Sequence, residues 1–308
     1  MAQTLLEYAK GAQDSILAGV IKTFALNSPI LRTLPWRTVQ GGALQYNVET
    51  ALPGIGFRNV NDAYGENVGV WNPLVEKVKI MGGDMDCDKA LIRRFGESRR
   101  AADIEAQARA AALAFDKYFF DGDESTDPKQ FDGINKRLAG TSQVVYTDHA
   151  GSAGVALDEN CIDILIDALD EKPNLLVMGK AVYRQVKNIF KSNTLITLQP
   201  TEWGFSVPTY DGIPIGIVDK DNEGNVILAM DETVGSQVGV CGSIYALKFD
   251  ADRYICGIQS APPDGLDLGE IDSKPVKRYR LDWDVGFAIF HPRSAARLAG
   301  IIAASGIA

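Results

Sequence analysis

The stretch Glu97–Asp121, ESRRAADIEAQARAAALAFDKYFFD, limits the possible folds more than any other part of this chain. It contains no Gly or Pro, and eight of residues 98–120 are Ala, the strongest helix former. Ile104, Ala108, Ala111, Phe115 and Phe119 recur at spacings of three and four, so a helix places them along one stripe. Arg100, Asp103, Gln107 and Lys117 fall mostly on other faces. Glu105 stands four residues before Arg109, the favourable order for a helical ion pair. Gly96 and Ser98 mark the start and Gly122 the stop. At about 1.5 Å per residue the helix is a rod of roughly 35 Å. It is narrow, because Ala side chains let other elements approach its backbone, and the fold is expected to use it as a spine.

The 308 residues suffice for two lobes or one large domain. A net charge of −9 argues against a surface that grips nucleic acid, since neutralising phosphates needs clustered Lys and Arg. It is compatible with a wall that encloses nucleic acid without holding it. The opening MAQTLLEYAK has neither a basic start nor a long apolar core, so no signal peptide is expected. No run approaches the roughly 18 apolar residues of a membrane span. Cys87, Cys161, Cys241 and Cys256 are scattered and form no CxxC, which points to buried, reduced thiols in an intracellular protein.

Along the chain, Ile16, Leu17, Val20, Ile21 and Phe24 form one face of a helix expected to stop at Asn27-Ser28-Pro29. ILRTLPWRTV then reads as an extended segment. ALQYNVET alternates as a strand does, and VWNPLVEKVKIMGG does so more loosely. Between them LPGIGFRNVNDAYGENVG is rich in Gly and Asn, which makes the whole an extended hairpin arm. Phe57, Tyr64 and Trp71 are large side chains on an arm that has little core of its own. They are expected to dock elsewhere, on another copy, with folding back on the same chain as the alternative.

Beyond the acidic loop DGDESTDPKQFDG the chain reads as α/β. DENCIDILIDAL is a helix with Ile162, Leu165, Ile166 and Leu169 on one face, and NLLVM is a buried strand. GKAVYRQVKNIF is a second helix, with Val182, Val186, Ile189 and Phe190 inward. YDGIPIGIVDKDNEGNVILAM reads as a hairpin turning at Asn222-Glu223-Gly224-Asn225, and SIYALKF and RYICGI as strands. In the last strand Tyr279, Leu281, Trp283, Val285, Phe287 and Ile289 take one face, and Arg278, Arg280, Asp282, Asp284 and Gly286 the other. Pro292 ends it, and RSAARLAGII reads as a short closing helix.

No catalytic template fits. GIGF at Gly54 lacks a following helix, and there is no Walker A, GxSxG or HExxH sequence. His149 and His291 are the only histidines, too few for a His-rich zinc site, and His291 before Pro292 reads as structural. No catalytic residue, cofactor or metal is therefore expected. Asp84, Asp86 and Asp88 alternate onto one strand face, where a divalent cation, a partner's Arg or plain solvation would relieve their repulsion. Asp219, Asp221, Glu223 and Gly224 imitate half a calcium loop, but position twelve is Met230 and the flanks are strands. Asp121, Asp123, Glu124 and Asp127 read as an exposed loop. Arg93, Arg94, Arg99 and Arg100 surround the start of the spine helix, where positive charge opposes the helix dipole. That suggests either solvation or an acidic surface on a neighbouring copy.

The order of these pieces carries a resemblance: a helical arm, the LPGIGFRNVNDAYGE hairpin, GGDMDCDKALIRR before the spine helix, then KQFDGINKRLAG. NLLVMGKAVYRQV, YDGIPIGIVDKDNEG and DSKPVKRYRLDWDVGFAIFHPRSAARLAGI follow. Across nearly its whole length the chain resembles the major capsid proteins of tailed bacteriophages, with the Hong Kong 97-type fold. The resemblance implies an α+β subunit whose N-terminal arm spans residues 1–42 and whose extended hairpin loop spans 43–80. The peripheral lobe with its spine helix would cover 81–135, an α/β axial lobe 136–272, and a long strand and helix closing both lobes 273–308. It implies a non-enzymatic subunit that assembles with itself into pentamers and hexamers of an icosahedral virion capsid, formed in the host cytoplasm. Portal, a separate scaffolding protein and enclosed double-stranded DNA, not specifically bound, would be its partners; no membrane is involved. Phe57, Arg58, Tyr64, Trp71, Arg93, Arg94, Arg99 and Arg100 are the expected inter-subunit contacts. Some members crosslink through a loop lysine, but no Lys lies between Gln45 and Trp71, so that chemistry is not carried over. A bacterial nanocompartment shell of the encapsulin type is the alternative with the same architecture. An α/β enzyme or ligand-binding protein is the rival from another class.

Overall fold

The expected spine forms over the expected residues. In a computed structural model describing residues 4, 5, 7, 27–51, 53–148, 154–190, 196–200, 206–271 and 274–302, Glu97–Asp121 is one uninterrupted helix bounded by Gly96 and Gly122. The expected helical face at Ile16 to Phe24 and the loop histidine His149 lie outside the described residues. Before the spine come helix α1 (Pro29–Thr33), strands β1 (Trp36–Thr38), β2 (Ala43–Ala51), β3 (Val70–Lys77) and β4 (Lys79–Asp88), and helix α2 (Lys89–Phe95). The spine is α3. After it come α4 (Ile134–Leu138), β5 (Val144–Tyr146), β6 (Val155–Ala156), α5 (Glu159–Asp167), β7 (Leu175–Gly179) and α6 (Lys180–Ile189). The chain continues through β8 (Ile196–Pro200), β9 (Ser206–Tyr210), β10 (Ile213–Val218), β11 (Glu232–Val234) and β12 (Gln237–Leu247). It finishes with β13 (Ile255–Gln259), β14 (Asp264–Ile271), β15 (Lys274–Ile289) and β16 (Ala295–Ile302).

Among the described residues the strands form three sheets, and in one of them β2 and β3 pair with each other alone. The 16-residue β15 holds β4 along one edge, and β14 followed by β13 along the other, with β1 beyond β13. The largest sheet runs β5-β16-β12-β7-β10-β9-β8, with β11 on β12 and β6 on β16. Its middle strands are covered on both sides, so Leu175 and Val177 of β7 face one core while Leu176 and Met178 face another. The second core lies under α5 and α6, whose Ile162, Leu165, Val182 and Val186 are buried. The first joins the inner face of this sheet to the spine and to β15. Phe115 of α3 stacks on Trp283 at 5.5 Å between ring centroids, and Trp36 lies 4.9 Å from Trp283. Phe119 lies 4.8 Å from Phe287. Tyr279, Leu281, Trp283, Val285 and Phe287 are all buried, as the alternation of β15 requires.

The spine is held at both turns of its C-terminal end by close backbone contact. A Cβ on Gly133 would stand 2.5 Å from the Phe120 carbonyl oxygen, so the FDGINKR segment needs glycine there to cross the helix end. Asn135 then reaches Asp121, and Lys136 reaches Asp123 and Asp132. Lys79 reaches Glu124 at 2.8 Å. The acidic loop is thus tied down rather than freely solvated, and Lys136 beside Asp123 holds that carboxyl far below the usual carboxylate range.

Several sequence expectations are corrected. RSAARLAGII is no α-helix: a single 3-10 turn at Pro292–Ser294 leads into strand β16. Ala295, Ala296, Leu298, Ala299 and Ile301 are all buried, and a segment covered on both faces runs apolar without needing the polar side a surface helix presents. ILRTLPWRTV is not extended throughout, since Ser28 caps α1 by accepting from the Leu31 N–H at 3.0 Å. The stretch VWNPLVEKVKIMGG is two strands, parted at Val78 where the chain leaves β2 and joins β15. The segment after β10 turns as expected at residues 222–225, yet its return holds one bridge, Lys220 with Val226, because β10 spends its edges on β7 and β9. There Asp221 accepts from the backbone of Glu223 and Asn225 and pairs with Lys117 of the spine at 2.8 Å. Lys117, with those N–H groups, lowers the Asp221 carboxyl to about 2, so an ammonium takes the place the half calcium loop suggested for a cation. On the spine, Glu105 and Arg109 form no ion pair among the described residues, and the i,i+4 pair is Arg99–Asp103 at 3.0 Å.

Candidate assembly interface

The β2–β3 hairpin has a fixed root and a bare outer part. At the root, Tyr46 stands edge-on to Phe290, 4.9 Å between centroids, and donates to the Ile289 carbonyl at 3.1 Å. Burial, then the neighbouring Glu76 carboxylate, push the Tyr46 hydroxyl up to about 12, so it remains a donor across ordinary pH. Arg137 of α4 forks onto both oxygens of Glu76 on β3, 2.8 Å for Nη2 to Oε2, while its guanidinium lies 4.5 Å from the centre of the Phe287 ring. Its Nε donates to the Asp132 carbonyl at 2.8 Å. Sequence reading missed this anchor; the pairing of a strand Glu with an Arg 61 residues on leaves no local pattern.

Arg137→Ala is expected to lower stability by about 2–4 kcal/mol, because it strands a partly buried Glu76 and strips the packing on Phe287. Arg137→Lys should recover only part of this, since an ammonium cannot fork. Urea unfolding midpoints of the three proteins check it.

Outward from the root the apolar side chains meet solvent. On β3, Val70, Trp71, Leu74 and Val75 are exposed, Trp71 by 59%. Around the tip Ile55 is 99% exposed, and Phe57, Val60, Tyr64 and Val68 are exposed too. The tip's contacts are its own: the Arg58 guanidinium lies 4.9 Å from the centre of the Tyr64 ring and donates to the Asn59 and Asp62 carbonyls. The alternative of an arm folded back on its own chain is therefore overturned for Phe57, Tyr64 and Trp71. Exposure of so many neighbouring apolar side chains is uncommon on a lone soluble chain.

The four arginines expected around the spine's start are divided by Gly96, at φ +81°, into two settings. Arg99 pairs with Asp103, and Arg100 pairs with Asp267 of β14 at 2.5 Å. Arg93 and Arg94 instead end α2, where cations suit the helix dipole, and are exposed beside Leu91 and Phe95. The carboxylate row is relieved within the chain. Arg280 forks onto Asp84 and Arg278 onto Asp86, each with contacts of 2.6 and 2.8 Å, and these hydrogen bonds lower both carboxyl pKa values. Asp88 caps α2 through the Ala90 N–H.

Among the described residues no group of His, Cys, Asp and Glu is arranged to hold a metal ion, and no helix is long and apolar enough to cross a membrane. His291 accepts from the Arg293 N–H through Nδ1 and lies edge-on to Tyr254, a structural cap. The four cysteines are buried and unbridged.

No protein-family model matches the chain, and no curated protein matches it by sequence. Solved structures do. The holo-SrpI encapsulin complex of Synechococcus elongatus aligns with a TM-score of 0.63 at 12% identity, covering 89% of this chain and 87% of that one. The capsid of the native GTA particle aligns at 0.60 and 14% identity, covering 91% and 90%. A structure from Mycobacterium phage Ogopogo aligns at 0.57 and 16% identity, covering 88% and 91%. Likeness over nearly the full length of each chain identifies the α+β fold as the Hong Kong 97 type, as the sequence resemblance implied.

Proposed function

We propose that this chain, having the Hong Kong 97-type capsid fold, is a major capsid subunit that assembles with itself into pentamers and hexamers of an icosahedral shell around double-stranded DNA. The observation that carries this reading is the hairpin β2–β3, rigid at its root and bare along its outer apolar side chains. A surface of that kind is completed by neighbouring copies, and a ring of heterologous contacts closes according to the rotation between them. In this reading Phe57, Arg58, Tyr64 and Trp71 meet a neighbour, and Arg93 and Arg94 do so at a second place. The N-terminal arm, loop, peripheral and axial lobes keep the boundaries given above. The role is structural rather than catalytic, the location is the virion capsid after assembly in the host cytoplasm, and portal and a separate scaffolding protein are the partners. The net charge of −9 suits a wall along which packaged DNA slides.

Purified chain is expected to scatter light as capsomers or particles and to show rings or shells under negative stain. A monomer of 33.3 kDa that persists at high concentration would end the reading. The likeness to an encapsulin, as high as to the capsids, keeps a compartment shell as the second reading; particles filled with a protein instead of nucleic acid would favour it.

A further inference from the structure

On the outer face of β4, β15 and β14, charge is balanced row by row except at one end. Asp84 faces Arg280 and Asp86 faces Arg278, each pair forked. Toward the start of β4 the ladder sets Asp264 directly opposite Asp282, and Asp284 follows on the same face opposite Ile80. Asp264, Asp282 and Asp284 form no ion pair among the described residues, and Ile80 beside Asp284 is 78% exposed. Like charges directly across a strand pair disfavour the sheet that holds them. These residues and Pro262 border an open cleft of about 330 Å³. It is an acidic hollow with an apolar floor.

The same chain carries the opposite charge. At the end of α2, Arg93 and Arg94 form no ion pair among the described residues, and Phe95 and Leu91 are exposed at a cleft of about 490 Å³. The two patches cannot meet within one molecule. Ile80 is the second residue of β4 and α2 follows its last, so most of a ten-residue strand, about 30 Å, keeps them apart. Complementary patches at opposite ends of one element make a heterologous contact, which repeats from copy to copy.

We propose that the α2 corner of one copy docks on the Ile80 corner of the next. Arg93 and Arg94 meet Asp264, Asp282 and Asp284, while Phe95 and Leu91 cover Ile80. This contact is separate from the hairpin tip, and it rests on the shell reading above.

The test is a charge exchange. D282R/D284R and R93E/R94E should each lower the yield of assembled particles at least tenfold while keeping the parent's circular dichroism and a Tm no lower than the parent's, because Arg93, Arg94 and Asp282 are exposed, Asp284 is half-buried, and D282R relieves its repulsion with Asp264. The combined variant should recover most of the yield. Loss in both single sets without recovery, or loss in neither, overturns the proposal, and so does rescue of D282R/D284R by R58E in place of R93E/R94E. A second readout does not depend on yield. Parent-like particles carrying I80C and F95C in the same chain, treated with a short bis-maleimide, should give a ladder of linked chains rising beyond the dimer on a denaturing gel. A ladder absent or stopping at the dimer contradicts head-to-tail docking. If the parent chain itself never assembles, the shell reading fails and this contact falls with it; if the parent assembles and the exchange fails, only this contact is lost.

Discussion

Removing residues 54–65 is expected to abolish particles while leaving the subunit folded. The side chains in that segment pack on each other or on nothing, as Ile55, Phe57 and Val60 show by their exposure and Arg58 by its stacking on Tyr64. Their removal takes no residue from either large core, so the change in unfolding free energy should stay within about 0.5 kcal/mol, as for other surface changes. The root contacts of Tyr46 and Arg137 remain and keep β2 on β3. Assembly should respond quite differently. An interface loses its affinity mostly through a few buried aromatic and Arg anchors, each worth about 2 kcal/mol or more, and Phe57, Arg58 and Tyr64 would go together. Light scattering and differential scanning calorimetry on the same preparation check both halves. A lowered Tm would mean the tip serves its own subunit, and intact shells would mean neighbours do not use it.

Asp116→Asn should make the chain more stable at alkaline pH and flatten its pH dependence. Asp116 lies on the spine with its side chain wholly buried, and it accepts a hydrogen bond from the Ser28 hydroxyl that caps α1. Burial pushes its carboxyl up to about 8, against the smaller opposing effect of Ser28. An unfolded Asp titrates near 3.9. Between those values the folded chain therefore holds a proton that the unfolded chain has lost. The stability this contributes is complete below about pH 4. It falls by about 1.4 kcal/mol per pH unit and is gone once the pH has passed about 8. Asn keeps the acceptor for Ser28 and does not ionise, so the variant should match the parent below about pH 4 and exceed it by several kcal/mol at pH 9. Urea midpoints across that range decide it, and parallel curves for the two proteins would refute a neutral buried Asp116.

The parts legible in the sequence were those whose pattern is local. The spine was read with its true ends because Gly96 and Gly122 bracket an Ala-rich run, and β15 because six alternating apolar residues admit no other period. What escaped was set by pairing over long distance. Both alternating rows, Asp84 and Asp86 on one strand and Arg280 and Arg278 on the other, were visible. Nothing in a linear chain announces that residues 196 and 192 apart share a register. The same holds for β16, whose alanines suggest helix until β12 and β5 are seen on either side. No sequence pattern marks Asp116, since burial of a carboxyl is a property of what packs over it.

The shared aromatic core has a mechanical consequence. Because Phe115, Trp283, Trp36 and Phe287 fasten the spine to β15 while Tyr245 and Leu247 bring the nine-stranded sheet into the same cluster, the described residues of the two sheets share one core, which resists their swinging past one another. If copies must adapt to positions of unequal curvature, the body will tilt as a block. The bending will fall on the thin two-stranded ribbon, which no third strand among the described residues stiffens.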